Sequence, residues 1–343
     1  MAKCCNLVWS PLASLLILAA LFLGLAAPVA RATELRGAGS TFAYPVVTRW
    51  SEAYQGLSGV RVEYHPIGSS AGMTEIRSGV IDFGLTDAPL QDAELLRDGL
   101  AQFPVLIGAI VPVVNLDGIK PGQLRFSGEI LADIFLGKIS RWNDPAIVAL
   151  NPGIALPNRP ILVIYRSDGS GTTYNWTDFL SKQSAEWQTR VGVKTAVAWP
   201  VGVGAKGNGG VAAGVSRTKG AIGFVEYTYA LQGNLVYGLV RNRAGNFIRP
   251  DAPGLLAAAE SVVWPKERDF FVLLSDAAAP EAYPIVGTTF ALIRRYPANA
   301  PNKRDALAYF RWALEKGRDL AAAQHYLPLP TSVVAQVEAY WDE

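Results

Sequence analysis

The sequence predicts an α/β fold of open mixed sheets flanked by helices, and three observations point there. Strand and helix patterns alternate along the chain from residue 35, as they do in α/β proteins. Two long apolar stretches, residues 103–115 and 283–293, read as connections between two domains. Three short Ser/Thr/Gly loops each end a strand pattern and open a helix pattern. They are Gly39-Ser40-Thr41-Phe42, Gly68-Ser69-Ser70-Ala71-Gly72 and Arg166-Ser167-Asp168-Gly169-Ser170-Gly171-Thr172.

Leu35-Arg36-Gly37 leads into a helix over residues 41–54, where Pro45 suits a first turn that needs no N–H. Residues 60–67 alternate as a strand, with Val60, Val62, Tyr64 and Pro66 on one side, and a helix over 70–78 follows. Residues 81–85 form a short buried strand, and 91–97 are helical. The stretch 103–115, interrupted by Pro104, Gly108 and Pro112, is too long and too broken for one core strand and reads as a crossover. Short helices are expected over 130–136 and 145–150. A strand over 161–165 feeds the arginine loop, and a helix over 172–182 follows it. Residues 199–210 are a glycine-rich loop that opens a helix ending near Val215. Strands over 221–231 and 235–241, a helix over 255–263, a return strand over 283–293, and helices over 305–325 and 332–341 complete the chain. Two crossovers make the first domain discontinuous. Residues 33–110 plus 285–343 form one lobe, and 111–284 form the other.

Residues 1–32 read as a cleaved secretory signal. Lys3 supplies the basic start, residues 12–25 are apolar and uncharged, and Ala30-Arg31-Ala32 is a small-x-small cleavage site, with the cut expected after Ala32. Both cysteines, Cys4 and Cys5, lie inside this segment. The processed chain therefore has no disulfide framework, thiolate metal site or cysteine nucleophile. No His/Asp/Glu cluster has metal-ligand spacing, so no metal and no cofactor are expected. The whole chain has 31 basic and 29 acidic residues. The signal carries Lys3 and Arg31 and no acid, so processing leaves the two signs equal. A neutral chain without a basic run argues against nucleic acid as a partner.

The three loops carry the chemistry. A helix N-terminus offers unpaired N–H groups and the positive end of a dipole, Ser and Thr add hydroxyl donors, and glycine permits close approach. Arg166 is the one basic residue among them, and its planar fork matches two oxygens of an oxyanion. Asp168, two residues on, is placed to hold that fork. Asp87 at the end of the strand over 81–85 reads equally as a cap for the helix over 91–97. Two other motifs compete. Gly68-Ser69-Ser70-Ala71-Gly72 fits a nucleophile elbow, with His325 as the base of an exported serine hydrolase acting through Ser70. Gly202-Val203-Gly204-Ala205-Lys206-Gly207 fits a dinucleotide fingerprint, with Glu226 downstream, but Trp199-Pro200 precedes it in place of a clean strand.

Taken in order, these segments closely resemble the periplasmic phosphate-binding proteins of the Pst-type ABC importer. The resemblance is carried by Gly37-Ala38-Gly39-Ser40-Thr41-Phe42, Ile67-Gly68-Ser69-Ser70, Asp82-Phe83-Gly84 with Asp87-Ala88-Pro89, and Leu136-Gly137-Lys138-Ile139. It continues through Asp168-Gly169-Ser170-Gly171-Thr172, Lys206-Gly207-Asn208 and Ala221-Ile222-Gly223-Phe224-Val225-Glu226-Tyr227. It implies a two-lobed periplasmic-binding-protein fold (type II), with a two-segment hinge and the site in the cleft. It implies high-affinity binding of inorganic phosphate in the periplasm, as a monomer, and delivery to the permease subunits of an importer with their ATPase. It does not imply an enzyme.

Carried over residue by residue, the implied ligands are Thr41, Phe42 through its N–H, Ser69, Asp87, Arg166, Ser170, Gly171 and Thr172. Asp168 would orient Arg166, and Ser40 would stand beside the ligands. The chain departs from some relatives at Ser40, Ala43 and Ala71, all flanking the contacts. In this reading Asp87 accepts the proton that phosphate keeps and sulfate lacks. A receptor for another tetrahedral oxyanion, such as arsenate, remains the nearest alternative.

Overall fold

The computed structural model describes residues 1–2, 34–295 and 301–341. Apart from its first two residues, the expected signal with its cleavage site lies outside the described residues. Among the described residues no helix is long and apolar enough to cross a membrane, and no group of three or more His, Cys, Asp or Glu is placed to hold a metal.

The described strands, in chain order, are β1 (Glu34–Gly39), β2 (Arg61–His65), β3 (Phe83–Thr86), β4 (Leu100–Val114), β5 (Arg125–Phe126) and β6 (Leu162–Arg166). They continue with β7 (Val203–Ala205), β8 (Ala221–Glu226), β9 (Val236–Tyr237), β10 (Leu239–Arg241), β11 (Phe247–Ile248) and β12 (Val286–Arg294). Nine of these form one sheet in the order β2-β1-β3-β12-β4-β8-β6-β7, with β9 also on β4; β11, β10 and β5 form a small second sheet.

Strand direction decides where the loops meet. β1 runs parallel to β2 and β3, and β6 runs parallel to β7 and β8. β12 is antiparallel to both β3 and β4, and β4 is antiparallel to β8. The β1–β3 group therefore points the same way as β4, and the β6–β8 group points the opposite way. β4 pairs with β12 over residues 100–109 and with β8 over 110–114. The carboxyl ends of the two groups consequently face each other, and all three loops lie at carboxyl ends, where open α/β sheets present their ligand sites.

Several sequence expectations change. Residues 100–114 are one continuous, fully buried strand, despite the two prolines. Phe290 pairs with Pro104 and Thr289 with Leu106, so Val105 is an extra residue, and Pro104, which has no N–H to give, sits beside this bulge. The glycine-rich loop contains β7, which among the described residues is an edge strand paired with β6 alone. The strand expected over 221–231 stops at Glu226, whose side-chain Oε1 accepts the Thr228 N–H at 2.9 Å and caps the helix Tyr227–Gln232. The strand over 235–241 divides into β9 and β10 at Gly238. The helix expected over 305–325 is two, Pro301–Glu315 and Arg318–Ala323. They part at Gly317, whose carbonyl accepts the Trp50 indole N–H at 2.8 Å; a Cβ there would come within 2.7 Å of that nitrogen.

The core runs through both groups of strands. Trp176, fully buried on helix Gly171–Gln183, stacks on Phe224 of β8 with ring centres 4.7 Å apart. This packing fixes the start of that helix, and the third loop with it, against the sheet.

Candidate functional site

The first loop is shaped by its backbone partners. Gly39 has φ +134°, and a Cβ there would meet the Leu85 carbonyl oxygen at 2.1 Å, so only glycine lets the chain leave β1 toward helix Tyr44–Ser58. Three tyrosine hydroxyls then take three successive carbonyls. Tyr64 donates to Ser40 O at 2.9 Å, Tyr229 to Thr41 O at 2.6 Å and Tyr326 to Phe42 O at 2.6 Å. With these carbonyls held, the intervening peptide planes, and hence their N–H groups, have set directions. The Phe42 ring is fully buried on the paired glycines Gly108 of β4 and Gly287 of β12; a Cβ on Gly108 would come within 2.7 Å of it. Its side chain is an anchor, and its N–H is directed at Ser40 Oγ.

Asp87 follows β3 and is 1% exposed. It does not cap the next helix: Gln91 caps helix Asp92–Asp98, its own N–H donating to Glu94 Oε2 at 3.1 Å. The Asp87 carboxylate instead accepts the Ser40 hydroxyl, with contacts of 2.7 and 2.8 Å to its two oxygens, and the Thr289 hydroxyl at 2.8 Å. Burial pushes its pKa up to about 6, against the pull of Ser40, Thr289 and the Arg166 charge. Ser40 therefore does more than stand beside the ligands. Its hydroxyl is a direct partner of the carboxylate and also accepts the Phe42 N–H at 3.0 Å.

Arg166 ends β6 and is 3% exposed. Asp168 holds one edge of it, accepting from Nε at 2.8 Å and from Nη2 at 2.5 Å. Burial opposes charge on Asp168, but the Arg166 bonds and charge, with the Gly207 N–H at 3.0 Å, outweigh it and hold the carboxyl below its usual range. The fork is thus oriented, and Nη1 remains on the inner side, 3.4 Å from Thr172 Oγ1. Ser170 caps helix Gly171–Gln183 by accepting the Thr173 N–H at 3.0 Å.

The structure brings the three loops together. Ser69 Oγ accepts the Gly171 N–H at 3.0 Å and the Asp87 N–H at 3.4 Å. Asn175 donates to Asp87 O at 2.6 Å and Gly171 O at 2.9 Å. Asn208 joins Thr41 and Thr172, through contacts of 2.9 and 3.1 Å. Every residue expected at the site, Thr41, Phe42, Ser69, Asp87, Arg166, Ser170, Gly171 and Thr172, is thereby gathered in one buried cluster. Thr289, Asn175, Asn208 and the three tyrosines were not anticipated. A faint signal existed for two of them: Thr288-Thr289 interrupts the apolar run of β12, and Asn208 ends a quoted motif.

The competing motifs do not assemble. Ser70 Oγ donates to Thr195 Oγ1 at 3.0 Å, while the His325 ring packs edge-on against Tyr227, 5.9 Å between centres. The hydroxyl has no imidazole base. Glu226 is wholly buried against Thr228 and Tyr326, so it is not free to meet a ribose. A cavity of about 550 Å³ lies elsewhere, at the β6–β7 edge among Ile134, Leu162 and Val203, and its lining has no charged side chain. It offers no guanidinium or ammonium group to an anion.

Chemically, the cluster is a set of N–H and O–H donors around one oriented guanidinium and one carboxylate. Such a set suits a tetrahedral oxyanion that still carries a proton. The comparisons agree with that chemistry. The chain matches the PBP superfamily domain over residues 26–316. It is 47% identical over 311 residues to the phosphate-binding protein PstS of Xylella fastidiosa (strain 9a5c), covering 91% of this chain and 85% of that one. It is 43% identical over 314 residues to the phosphate-binding protein PstS of Haemophilus influenzae, covering 92% and 94%. Its fold is similar to that of a high affinity periplasmic phosphate-binding protein (PfluDING) solved with phosphate bound, with a TM-score of 0.68 and 21% identity over 90% and 93% of the two chains.

Proposed function

Because this chain belongs to the PBP superfamily and, within it, to the phosphate-binding PstS proteins, we propose that it is a phosphate receptor. It binds one inorganic phosphate between two lobes in the periplasm and delivers it to the permease of an ABC importer, with its ATPase. It acts by closure, not by catalysis. The lobes are residues 33–110 with 285–343, and 111–284, and β4 and β12 form the hinge between them. The ligands are Thr41, the Phe42 N–H, Ser69, Asp87, Arg166, Ser170, Gly171 and Thr172.

The observation that carries this reading is Asp87. A buried carboxylate beside a buried guanidinium and a ring of donors suits an anion only if that anion brings a proton. Phosphate keeps one near neutral pH, and sulfate does not. Asp87 accepts that proton in a hydrogen bond and leaves sulfate facing bare carboxylate oxygen, a mismatch able to discriminate by roughly 10⁴–10⁵. Ser40 and Thr289 hold the carboxylate with two donors and support its charged form.

Calorimetric titration of the phosphate-stripped protein tests the reading. Tight one-to-one binding of phosphate with no heat from sulfate is expected. Binding of neither anion overturns the function; equal binding of both overturns the role of Asp87.

A further inference from the structure

Asn208, at the start of helix Gly207–Arg217, is fully buried. Its Oδ1 accepts the Glu226 N–H at 2.9 Å. A backbone N–H only donates, so this contact sets the amide's orientation and leaves Nδ2 facing the site. Nδ2 donates to Thr41 Oγ1 at 2.9 Å and to Thr172 Oγ1 at 3.1 Å, and the Asn208 N–H also donates to Thr41 Oγ1 at 3.2 Å.

A hydroxyl has two acceptor positions and one proton. Thr41 Oγ1 receives two donors, both from Asn208. Thr172 Oγ1 receives Asn208 and Arg166 Nη1, the latter at 3.4 Å. Both oxygens are full as acceptors, and each hydroxyl is left with only its proton to give.

We propose that Asn208 is a positioning residue that turns Thr41 and Thr172 into one-way hydrogen-bond donors toward the bound anion. The proposal rests on the phosphate reading above and deepens it. A freely rotating hydroxyl either donates to a phosphate oxygen or accepts from the phosphate's own P–OH. With its acceptor positions filled, it offers only a proton. Ser69 Oγ is in the same condition, receiving the Gly171 and Asp87 N–H groups. The anion's proton then finds one acceptor among these groups, Asp87, and Asn208 becomes part of the specificity for a protonated oxyanion.

Asn208→Asp tests the direction of these bonds. It keeps the side-chain size and the acceptor for the Glu226 N–H, but replaces both Nδ2 donors with an acceptor that draws the two hydroxyl protons away from the anion. The same substitution made in a Thr41→Val/Thr172→Val background separates direction from charge, because repulsion of the anion persists there and hydroxyl direction does not exist. Phosphate Kd is read by calorimetry, after a thermal melt without phosphate has shown each variant folded.

The expected result is a loss of about a hundredfold or more for Asn208→Asp in the parent and less than about tenfold in the valine background. Asn208→Ala repeats the cycle without added charge and carries it alone if the aspartate variant does not fold; its loss is expected to be about tenfold in the parent and close to none in the valine background. Equal losses in both backgrounds, or parental affinity in Asn208→Asp, overturn the proposal. No phosphate binding by the parent protein removes the phosphate reading and the proposal with it. Binding by the parent with additive losses removes the proposal alone.

Discussion

Glu226→Gln is expected to stabilise the ligand-free protein, and increasingly so as pH rises. Glu226 ends β8 opposite Ile110, where β4 changes partners. Its carboxyl meets the Thr228 N–H at 2.9 Å, the Thr228 hydroxyl at 3.1 Å and Tyr326 Oη at 2.9 Å, and none of these partners is a cation. Burial pushes its pKa up to about 8 from the ordinary 4.5, against the pull of these hydrogen bonds. The neutral form fits the network: Tyr326 gives its proton to Phe42 O, and the protonated carboxyl then donates to the Tyr326 oxygen. Glutamine reproduces that neutral arrangement, with Nε2 in place of the carboxyl O–H.

The folded state holds this proton more tightly than the unfolded chain does. The group's contribution is therefore fully present below about 4.5 and is lost as pH rises through about 8. At 1.36 kcal/mol per unit, the parent forfeits about 3 kcal/mol by pH 7 and about 5 kcal/mol above pH 9, and the glutamine variant forfeits neither. Asp87, raised to about 6, contributes with the same sign, but it is present in both proteins and cancels. Urea denaturation of phosphate-free parent and variant at about pH 5, 7 and 9 reads the difference. A gap that widens with pH is expected. Parallel curves, or a variant less stable than the parent at pH 9, would refute the claim that this carboxyl is held neutral.

Two further substitutions probe the site. Asp87→Ala should weaken phosphate binding and admit sulfate, bringing the two affinities within about tenfold of each other; a variant that still excludes sulfate removes Asp87 as selector. Gly171→Ala should leave the ligand-free melting temperature within a few degrees while lowering phosphate affinity at least about a hundredfold. The added Cβ would lie 2.6 Å from both the Asp87 Cβ and the Asp87 nitrogen, so it obstructs the approach of two distant segments and not the helix that carries it. Parental affinity in calorimetry would show that these segments do not need to meet this closely.

The sequence by itself determined the local chemistry. A glycine, a hydroxyl residue and a strand-to-helix junction are properties of a few neighbouring residues, so the three loops, the Arg166–Asp168 pair and the family resemblance were legible without coordinates. Elements whose support comes from a distant partner were not. β4 reads as broken by its prolines until β12 is set beside it, with a bulge at Val105 next to Pro104. β7 reads as loop until β6 supplies its ladder. The β-rich run after Val225 reads as strand until the Glu226 side chain caps a helix there.

The same division runs through the site. Asp87 reads in the sequence as a cap for the next helix, and only tertiary structure shows that its carboxylate is used otherwise, by placing Thr289, 202 residues away in the chain, against it. Whether the Thr41 and Thr172 hydroxyls donate or accept is likewise absent from the sequence. That role depends on which neighbours fill their lone pairs, and Asn208 reaches them across 167 and 36 residues of chain. A residue's capacity to hydrogen-bond is written in its side chain, but the direction in which it uses that capacity is set by the packing around it.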